Sequence, residues 1–425
     1  MPCDRRKSSR KLLPGVIAVL IISFWIGAQE KPSPVRVLFI GNSYTYFNNL
    51  PEMFGKLAQS QSHAVETRMC APGGWRLKDH WERGEALNAL HQGKWDFVIL
   101  QEQSTLGSNY YLEGKARISG DQLFRPYAQK WASEVRSAGA VPLFYLTWAR
   151  KATPEDQAQL NYVYMSAAKE NGARVAPVGI AWDTVRKQDP SLELFYVDGS
   201  HPSPAGTYLA ACTIYAAIFH ESPSGLPRTI VGVPVNLQTA KPEPGRKAVL
   251  ADLSARRARV IQDAAWAAWQ EVDKNGGTLD LAPVAAPESP PVPPGVPLAT
   301  VSLEGKWTGS LLFYPPPFLP TEIVLRLRKQ GSDWKGRLEL WFHSEEQKDQ
   351  SLDLENLQVG ERELFFTAPK APQNLNIRFQ GVAAGPQELR GIAEATLGNG
   401  ESPTRLFGTW TLKRGKGVGP TQPES

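Results

Sequence analysis

Residues 35–45 read VRVLFIGNSYT, an apolar run that passes directly into Gly41, Asn42 and Ser43. A short apolar run of this kind, ended by a turn signal, is typical of a buried strand. In parallel α/β sheets, reactive groups gather where a strand ends and opens towards a helix. The stretch therefore predicts a central strand with Ser43 at the crevice beyond it.

Short apolar runs continue to alternate with helical patterns up to about residue 276. The predicted strands are residues 35–40, 64–70, 97–100, 141–147 and 174–178, and the predicted helices are residues 50–61, 77–92, 122–138, 154–171, 204–220 and about 249–274. Short apolar strands separated by helices favour a parallel sheet that is covered on both faces. The predicted fold of residues 35–276 is thus a three-layer α/β sandwich.

The pattern changes after this region. Residues 277–299 are rich in Ala and Pro, which is the composition of a semi-rigid linker. Beyond it, runs such as WKGRLELWF and RLFGTWTLKR alternate apolar and polar residues with a period of two. This pattern predicts an antiparallel β barrel or sandwich of roughly seven or eight strands over residues 300–416. The remaining residues, 417–425, are predicted to be disordered.

The first 28 residues have the composition of a targeting segment. Five basic residues, Arg5, Arg6, Lys7, Arg10 and Lys11, precede an apolar stretch at residues 16–28. This arrangement is typical of a signal peptide and predicts an exported protein, whether secreted, periplasmic or at the cell surface. The apolar stretch is shorter than the ~20 residues of a membrane-spanning helix. An uncleaved anchor, extended by Leu12 and Leu13, is the alternative.

The net charge limits the kind of partner that the sequence predicts, and the cysteine content limits the disulfides. The net charge is +5, but residues 1–28 hold five basic residues and one acid, which leaves 42 basic against 41 acidic residues. A nearly neutral chain does not favour nucleic-acid binding, which needs a clustered basic surface. Cys70 and Cys212 follow the leader, and two separate thiols are preferred over one disulfide because no dense cysteine framework is present.

Three further segments add candidate site groups. Residues 71–75, APGGW, include Gly74, whose backbone can approach a ligand closely. The apolar run before Gln101 delivers this amide to the same edge of the sheet. In residues 198–204, DGSHPSP, an Asp198 carboxylate can hold one nitrogen of His201 while the other faces a hydroxyl. Each segment alone also fits an ordinary turn, a solvated strand end or, at Ser43, a helix cap.

Together and in this order, these segments resemble the SGNH (GDSL-like) hydrolase superfamily, especially a branch that begins with GNSYT and ends with DGxHPSxxGTYLAA. The resemblance implies a catalytic triad of Ser43, Asp198 and His201. The C-terminal region is loosely similar to lipocalin-like barrels.

The resemblance also implies an oxyanion hole made by the N–H groups of Ser43 and Gly74 and by the side-chain amide of Gln101. The superfamily usually has an asparagine where this chain has Gln101, which is one methylene longer. Asn42 and Trp148 are candidate substrate-binding residues near the same strand ends.

The predicted function is that of an exported serine esterase, which hydrolyses carboxylic esters through an acyl-serine intermediate. Secreted members of the superfamily suggest acetyl esters of carbohydrates; a lipid or aryl esterase and a catalytically inactive surface binding protein are the alternatives. No HExxH or Walker-type motif occurs, so neither a metal nor a nucleotide cofactor is expected. The expected partner is a small-molecule or polysaccharide ester, with no stable membrane span after leader cleavage. The remaining histidines are predicted to be structural, with His80 and His91 on a surface helix.

Overall fold

The computed structural model describes residues 33–108, 110–112, 115–118, 120–285, 292–313, 321–341, 350–371, 375–397 and 404–414. The predicted signal peptide at residues 1–28 and the tail at residues 417–425 lie outside the described residues. Within the described ranges, no helix has both the length and the apolar character needed to cross a membrane.

The region from residue 34 to residue 279 contains eleven described strands and nine described helices. The strands are β1 Val35–Ile40, β2 Val65–Cys70, β3 Phe97–Leu100, β4 Tyr110–Leu112, β5 Lys115–Arg117, β6 Val141–Tyr145, β7 Arg174–Ala176, β8 Thr229–Gly232, β9 Val235–Asn236, β10 Lys241–Pro242 and β11 Ala248–Asp252. The helices are α1 Ser43–Tyr46, α2 Leu50–Ser60, α3 Leu77–Arg83, α4 Glu85–Gln92, α5 Arg125–Ser137, α6 Gln157–Asn171, α7 Val178–Gln188, α8 Pro204–Phe219 and α9 Ala255–Lys274.

A five-stranded parallel sheet in the order β2-β1-β3-β6-β7 forms the centre of this region. Alternate side chains of β1 enter different cores. Val37 and Phe39 pack with side chains of α2, α7, α8 and α9, whereas Leu38 and Ile40 pack with side chains of α3 to α6. Both faces of the strand are therefore buried, which explains why the run is apolar throughout. The predicted three-layer α/β sandwich is confirmed.

Some predicted elements differ in their bounds. The single helix predicted at residues 77–92 is two helices, because Gly84 adopts a left-handed φ of 78° that ends α3. The helix predicted from about residue 249 begins at Ala255, after β11. The β4–β5 hairpin and α7 were not predicted. Cys70 and Cys212 are free thiols, which agrees with the preferred reading of the sequence.

The C-terminal region is all β. Its strands are β12 Gly305–Phe313, β13 Thr321–Gln330, β14 Asp333–Trp341, β15 Gln350–Asp353, β16 Glu355–Val359, β17 Glu363–Ala371, β18 Leu375–Gly385, β19 Glu388–Leu397 and β20 Thr404–Arg414. They pair antiparallel in the order β15-β14-β13-β12-β20-β19-β18-β17-β16. The two ends of the sheet meet, since β14 contacts β16 and β15 contacts β17. This nearly closed barrel confirms the predicted all-β fold, with nine strands in the described part.

The hairpin β4–β5 joins the two regions. Strand β4 pairs in parallel with β20, placing Tyr110 opposite Arg405 and Tyr111 opposite Leu406. The Tyr110 ring also meets the Phe407 ring edge to face, with 5.4 Å between centroids. Strand β20 of the barrel is therefore hydrogen-bonded to a hairpin that belongs to the α/β region.

Candidate active site

The nucleophile loop follows β1 and begins at Gly41. A Cβ at Gly41 would lie 2.4 Å from Thr45 Oγ1 and 2.6 Å from Gln101 Oε1, so only glycine fits there. The next residue, Asn42, caps the one-turn helix α1 by accepting a 3.1 Å hydrogen bond from the Tyr44 N–H. Ser43 is the first residue of that helix. The turn chemistry of the sequence therefore places the Ser43 hydroxyl at the carboxyl edge of the sheet.

The structure brings together the three residues predicted to form a triad. His201 Nε2 lies 2.8 Å from Ser43 Oγ, and His201 Nδ1 lies 2.5 Å from Asp198 Oδ2. The second oxygen of Asp198 accepts hydrogen bonds from the backbone N–H groups of Ser200 and His201 at 2.9 and 3.0 Å. The Phe47 ring stacks on the imidazole with 4.2 Å between centroids. The imidazole is therefore held at both ring nitrogens and on one face.

The surroundings of Asp198 favour its charged form. Partial burial raises the pKa of this carboxyl, but hydrogen bonds from the His201 side chain and from the Ser200 and His201 backbone outweigh that effect and lower it. An ionised Asp198 keeps a proton on His201 Nδ1, which leaves Nε2 free to accept the Ser43 proton. This is the tautomer that general-base catalysis requires.

Asn48 is a residue that the sequence did not single out. It adopts a left-handed φ of 52°, and its Nδ2 donates to the Pro202 carbonyl at 3.1 Å and to Thr207 Oγ1 at 2.9 Å. These bonds connect the segment after Ser43 to the segment after His201. Asparagine tolerates left-handed backbone better than most residues, so the Asn48–Asn49 pair is the only local signal that pointed to this role.

Gly74 has a left-handed φ of 72° and lies in the loop after β2. Asn42 Nδ2 donates to the carbonyl of the adjacent Trp75 at 2.9 Å, which connects this loop to the nucleophile loop. Within the described residues, the backbone N–H groups of Ser43 and Gly74 donate to no protein acceptor. Neither N–H group is therefore committed to another part of the described protein.

The hydrogen bonds of Gln101 differ from the predicted oxyanion contact. Its side chain is fully buried, and Oε1 accepts from the Asn42 N–H at 2.9 Å and from Thr45 Oγ1 at 3.0 Å. Its Nε2 donates to Asn42 Oδ1 at 3.0 Å and to the Glu102 carbonyl. Since both sides of the amide are engaged beneath the nucleophile loop, the structure gives Gln101 a supporting contact in place of the predicted donor role.

Trp148 and Asn42 also lie beneath the site and not at its surface. Trp148 is fully buried between the rings of Tyr44 and Trp182, at centroid distances of 4.5 and 3.8 Å. Its Nε1 donates to the Ser200 carbonyl at 3.0 Å. Asn42 is 2% exposed and uses both ends of its amide within the loops. The prediction that these two residues contact substrate is corrected, because neither has accessible surface to offer; both position the loops.

Two buried titratable groups support the same edge. The prediction of a surface position for His80 is wrong: the residue is buried on α3, and its Nε2 lies 2.7 Å from the Gly41 carbonyl. Burial lowers the pKa of His80 and so favours the neutral imidazole. Glu102 is also fully buried, and burial raises its pKa to about 8. Its two oxygens accept from the Leu77 N–H at 3.1 Å and the Gln103 N–H at 2.6 Å, which ties α3 to the end of β3.

The described residues contain no group of three or more His, Cys, Asp and Glu side chains arranged to hold a metal ion.

No protein-family profile and no curated protein sequence matches this chain. Several solved structures are similar to part of it. A DUF4886 family protein from Bacteroides uniformis is 17% identical, covers 58% of this chain and 98% of its own, and has a TM-score of 0.40. An acetyl-xylooligosaccharide esterase from Geobacillus is 16% identical over 46% of this chain and 96% of its own, with a TM-score of 0.35. The psychrotrophic esterase EstA from Pseudoalteromonas is 12% identical over 44% and 97%, with a TM-score of 0.32.

Proposed function

We propose that this protein is a serine hydrolase that cleaves carboxylic esters through an acyl intermediate on Ser43. One observation carries the proposal: Ser43, His201 and Asp198 form a continuous hydrogen-bonded chain, at 2.8 and 2.5 Å, at the carboxyl edge of a parallel sheet. A hydroxyl, a base in contact with it and a carboxylate that orients the base are the parts that nucleophilic acyl transfer needs. Because all three members of this hydrogen-bonded series are present and in contact, the site argues against a binding protein that has lost activity.

The chemistry proceeds in two balanced steps. His201 Nε2 takes the Ser43 proton as Oγ attacks the ester carbonyl, and the resulting oxyanion is stabilised by the N–H groups of Ser43 and Gly74. One such donor is typically worth ~3 kcal/mol in the transition state. The intermediate collapses to acyl-serine, and His201 returns the proton to the leaving alcohol. Water then attacks the acyl group with His201 again as the base, which releases the acid and restores the hydroxyl.

Acetyl esters of carbohydrates are the substrate class that we propose for this site, and export is the setting. The support for the substrate is the resemblance carried by GNSYT and DGSHPSPAGTYLAA, and the support for export is the basic and apolar composition of residues 1–28. Lipid and aryl esters are the alternatives against which the substrate class has to be tested.

A substrate panel tests both levels of the proposal. The purified protein and its Ser43→Ala variant are assayed on p-nitrophenyl acetate, butyrate and octanoate, on acetylated xylooligosaccharides and on a phospholipid. A fluorophosphonate probe followed by peptide mass spectrometry locates the reactive serine. We expect Ser43 to carry the adduct and short acyl chains to be preferred. Labelling of another residue, or equal hydrolysis by Ser43→Ala, would overturn the mechanism, while a preference for octanoate or phospholipid would overturn the substrate class alone.

A further inference from the structure

A cavity of about 410 Å³ lies against the loop that carries Asp198. Its walls come from three segments: the β4–β5 hairpin, the turn at residues 150–153 after β6, and residues 197–200, which include Asp198. Three of the lining side chains are cations, Lys115, Arg150 and Lys151. The cavity therefore places three cationic residues against residues 197–200, the loop that leads into His201.

Carboxylates among the described residues pair with only part of this positive charge. Lys151 Nζ lies 2.5 Å from Glu193 Oε2, and Asp198 is engaged by His201. Arg150 donates through Nε and Nη2 to Ser104 Oγ, at 3.3 and 3.0 Å. In the part of the chain that the structure describes, neither Arg150 nor Lys115 forms an ion pair with a carboxylate. Among the described residues, these two cations of the cavity lining thus have no carboxylate partner.

The position of Arg150 is fixed by its surroundings. The Thr153 N–H donates to the Arg150 carbonyl at 3.0 Å and closes a turn, and the Lys151 N–H donates to the Gly199 carbonyl at 2.8 Å. The turn is therefore bound to the loop that carries Asp198 and His201. The two bonds to Ser104 orient the half-buried guanidinium. A cation held in this way loses little entropy when an anion arrives, which favours binding.

The chemistry of Arg150 and Lys115 indicates which kind of ligand would bind them. A guanidinium presents paired N–H donors that match a carboxylate, and charge-assisted bonds of this kind are about twice as strong as neutral ones. Taking a cation partly out of water is unfavourable unless an opposite charge compensates it. We propose that this cavity binds a carboxylate of the ester substrate, with Arg150 as the main contact and Lys115 as the second. Resting on the ester hydrolase function proposed above, this makes anionic esters the preferred substrates.

The carboxylate has two possible sources, which matched substrates separate. On the acyl side, p-nitrophenyl hemiglutarate is compared with p-nitrophenyl butyrate. On the alcohol side, acetylated methyl glucuronoside is compared with acetylated methyl glucoside. We expect one of these two pairs to show a kcat/KM ratio of about tenfold or more in favour of the anionic ester, the size typical of a hydrogen bond to a charged group. Hydrolysis of the neutral esters, and its loss in Ser43→Ala, reports separately on the proposed function.

Substitutions identify the residue responsible for the preference. Arg150→Gln is expected to reduce the anionic-to-neutral ratio about tenfold, and Lys115→Gln is expected to reduce it less because that side chain is exposed. Arg150→Lys, which keeps the charge but loses the fork, is expected to give an intermediate ratio. Arg257→Gln removes the same charge from the exposed first turn of α9 and is the matched control, with the ratio unchanged.

An inhibition measurement on the unmodified protein tests the same proposal and does not require Arg150→Gln to fold. Free glutarate and glucuronate are expected to inhibit hydrolysis of p-nitrophenyl acetate competitively, and added salt is expected to weaken the inhibition because it screens charge. A ratio near one for both substrate pairs, together with no inhibition by either carboxylate, would overturn the proposal. So would an anionic preference that survives Arg150→Gln unchanged.

Discussion

The carboxyl edge of the central sheet and the C-terminal barrel use buried space in different ways. In the described part of the chain, every buried polar or charged side chain belongs to the α/β region, from Asn42 to Gln262. The barrel core is apolar and includes Trp307, Phe366 and Trp410. A buried polar group costs free energy unless it is hydrogen-bonded. The α/β region buries several such groups near its reactive edge, Asn42, Ser43, Gln101 and Glu102 among them, whereas the residues of the barrel core are apolar.

The largest expected effect tests whether ester hydrolysis depends on the α/β region and not on the barrel. Ser43→Ala should lower kcat for p-nitrophenyl acetate by about 10⁴-fold or more, as is typical when a triad residue is lost. Thermal unfolding should change little, because the substitution removes only one hydroxyl. Ser310→Ala, at an exposed position of β12, is the matched control and should leave kcat unchanged. Substantial turnover by Ser43→Ala would mean that the reactive group lies elsewhere.

The next largest effect concerns the bonds that hold the triad segments together. Asn48→Ala removes the two donations to Pro202 and Thr207 and allows the His201 segment to shift relative to Ser43. Since misplacement by 1 Å can cost about 100-fold, we expect a fall in kcat of roughly 10- to 100-fold with a smaller change in KM. Asn88→Ala, on the exposed face of α4, is the control. An unchanged kcat would show that the segments hold their geometry without Asn48.

A third substitution tests whether the barrel acts only as structure. Phe407→Ala removes the ring that packs against Tyr110 of the β4–β5 hairpin. We expect the free energy of unfolding to fall by about 3 kcal/mol, as for other buried aromatic truncations, and kcat to fall less than in Asn48→Ala. Thr409→Ala, exposed on the same strand, is the comparison for denaturant unfolding and turnover. A loss of kcat as large as that of Asn48→Ala would mean that the barrel helps to form the active site.

The last prediction concerns the pH dependence of stability that comes from Glu102, a residue at the end of β3 in the α/β region. Because burial raises its pKa in the folded protein to about 8, the folded state holds a proton that the unfolded state releases above its ordinary value of 4.5. Rising pH between these two values therefore destabilises the folded state. The unfolding free energy of Glu102→Gln minus that of the unmodified protein should increase from pH 4.5 to pH 8 and then level off. A difference that stays constant with pH would show that Glu102 does not titrate in this range.

Much of the fold followed from local pattern alone. The apolar run of β1 predicted a strand buried on both faces, and period-two alternation after residue 300 predicted an all-β region, because each periodicity matches one backbone geometry. The contact between Asp198 and His201 could also be predicted locally, because a turn that separates them by three residues allows the carboxylate to meet Nδ1. The strand pattern placed Ser43 at the crevice. Its meeting with His201, 158 residues away, was predicted only from the resemblance carried by the motifs.

Other features depended on the tertiary structure. The strand pattern placed Gln101 and Trp148 at the correct edge of the sheet. The position of Gln101 beneath the nucleophile loop and of Trp148 between two rings depends on tertiary packing. The bonds of Asn48 to Pro202 and Thr207, and the pairing of β4 with β20, join residues far apart in the chain. Local periodicity determines which face of an element is apolar. The direction of each polar side chain at a strand end depends on which distant donors and acceptors the folded chain brings within hydrogen-bonding distance.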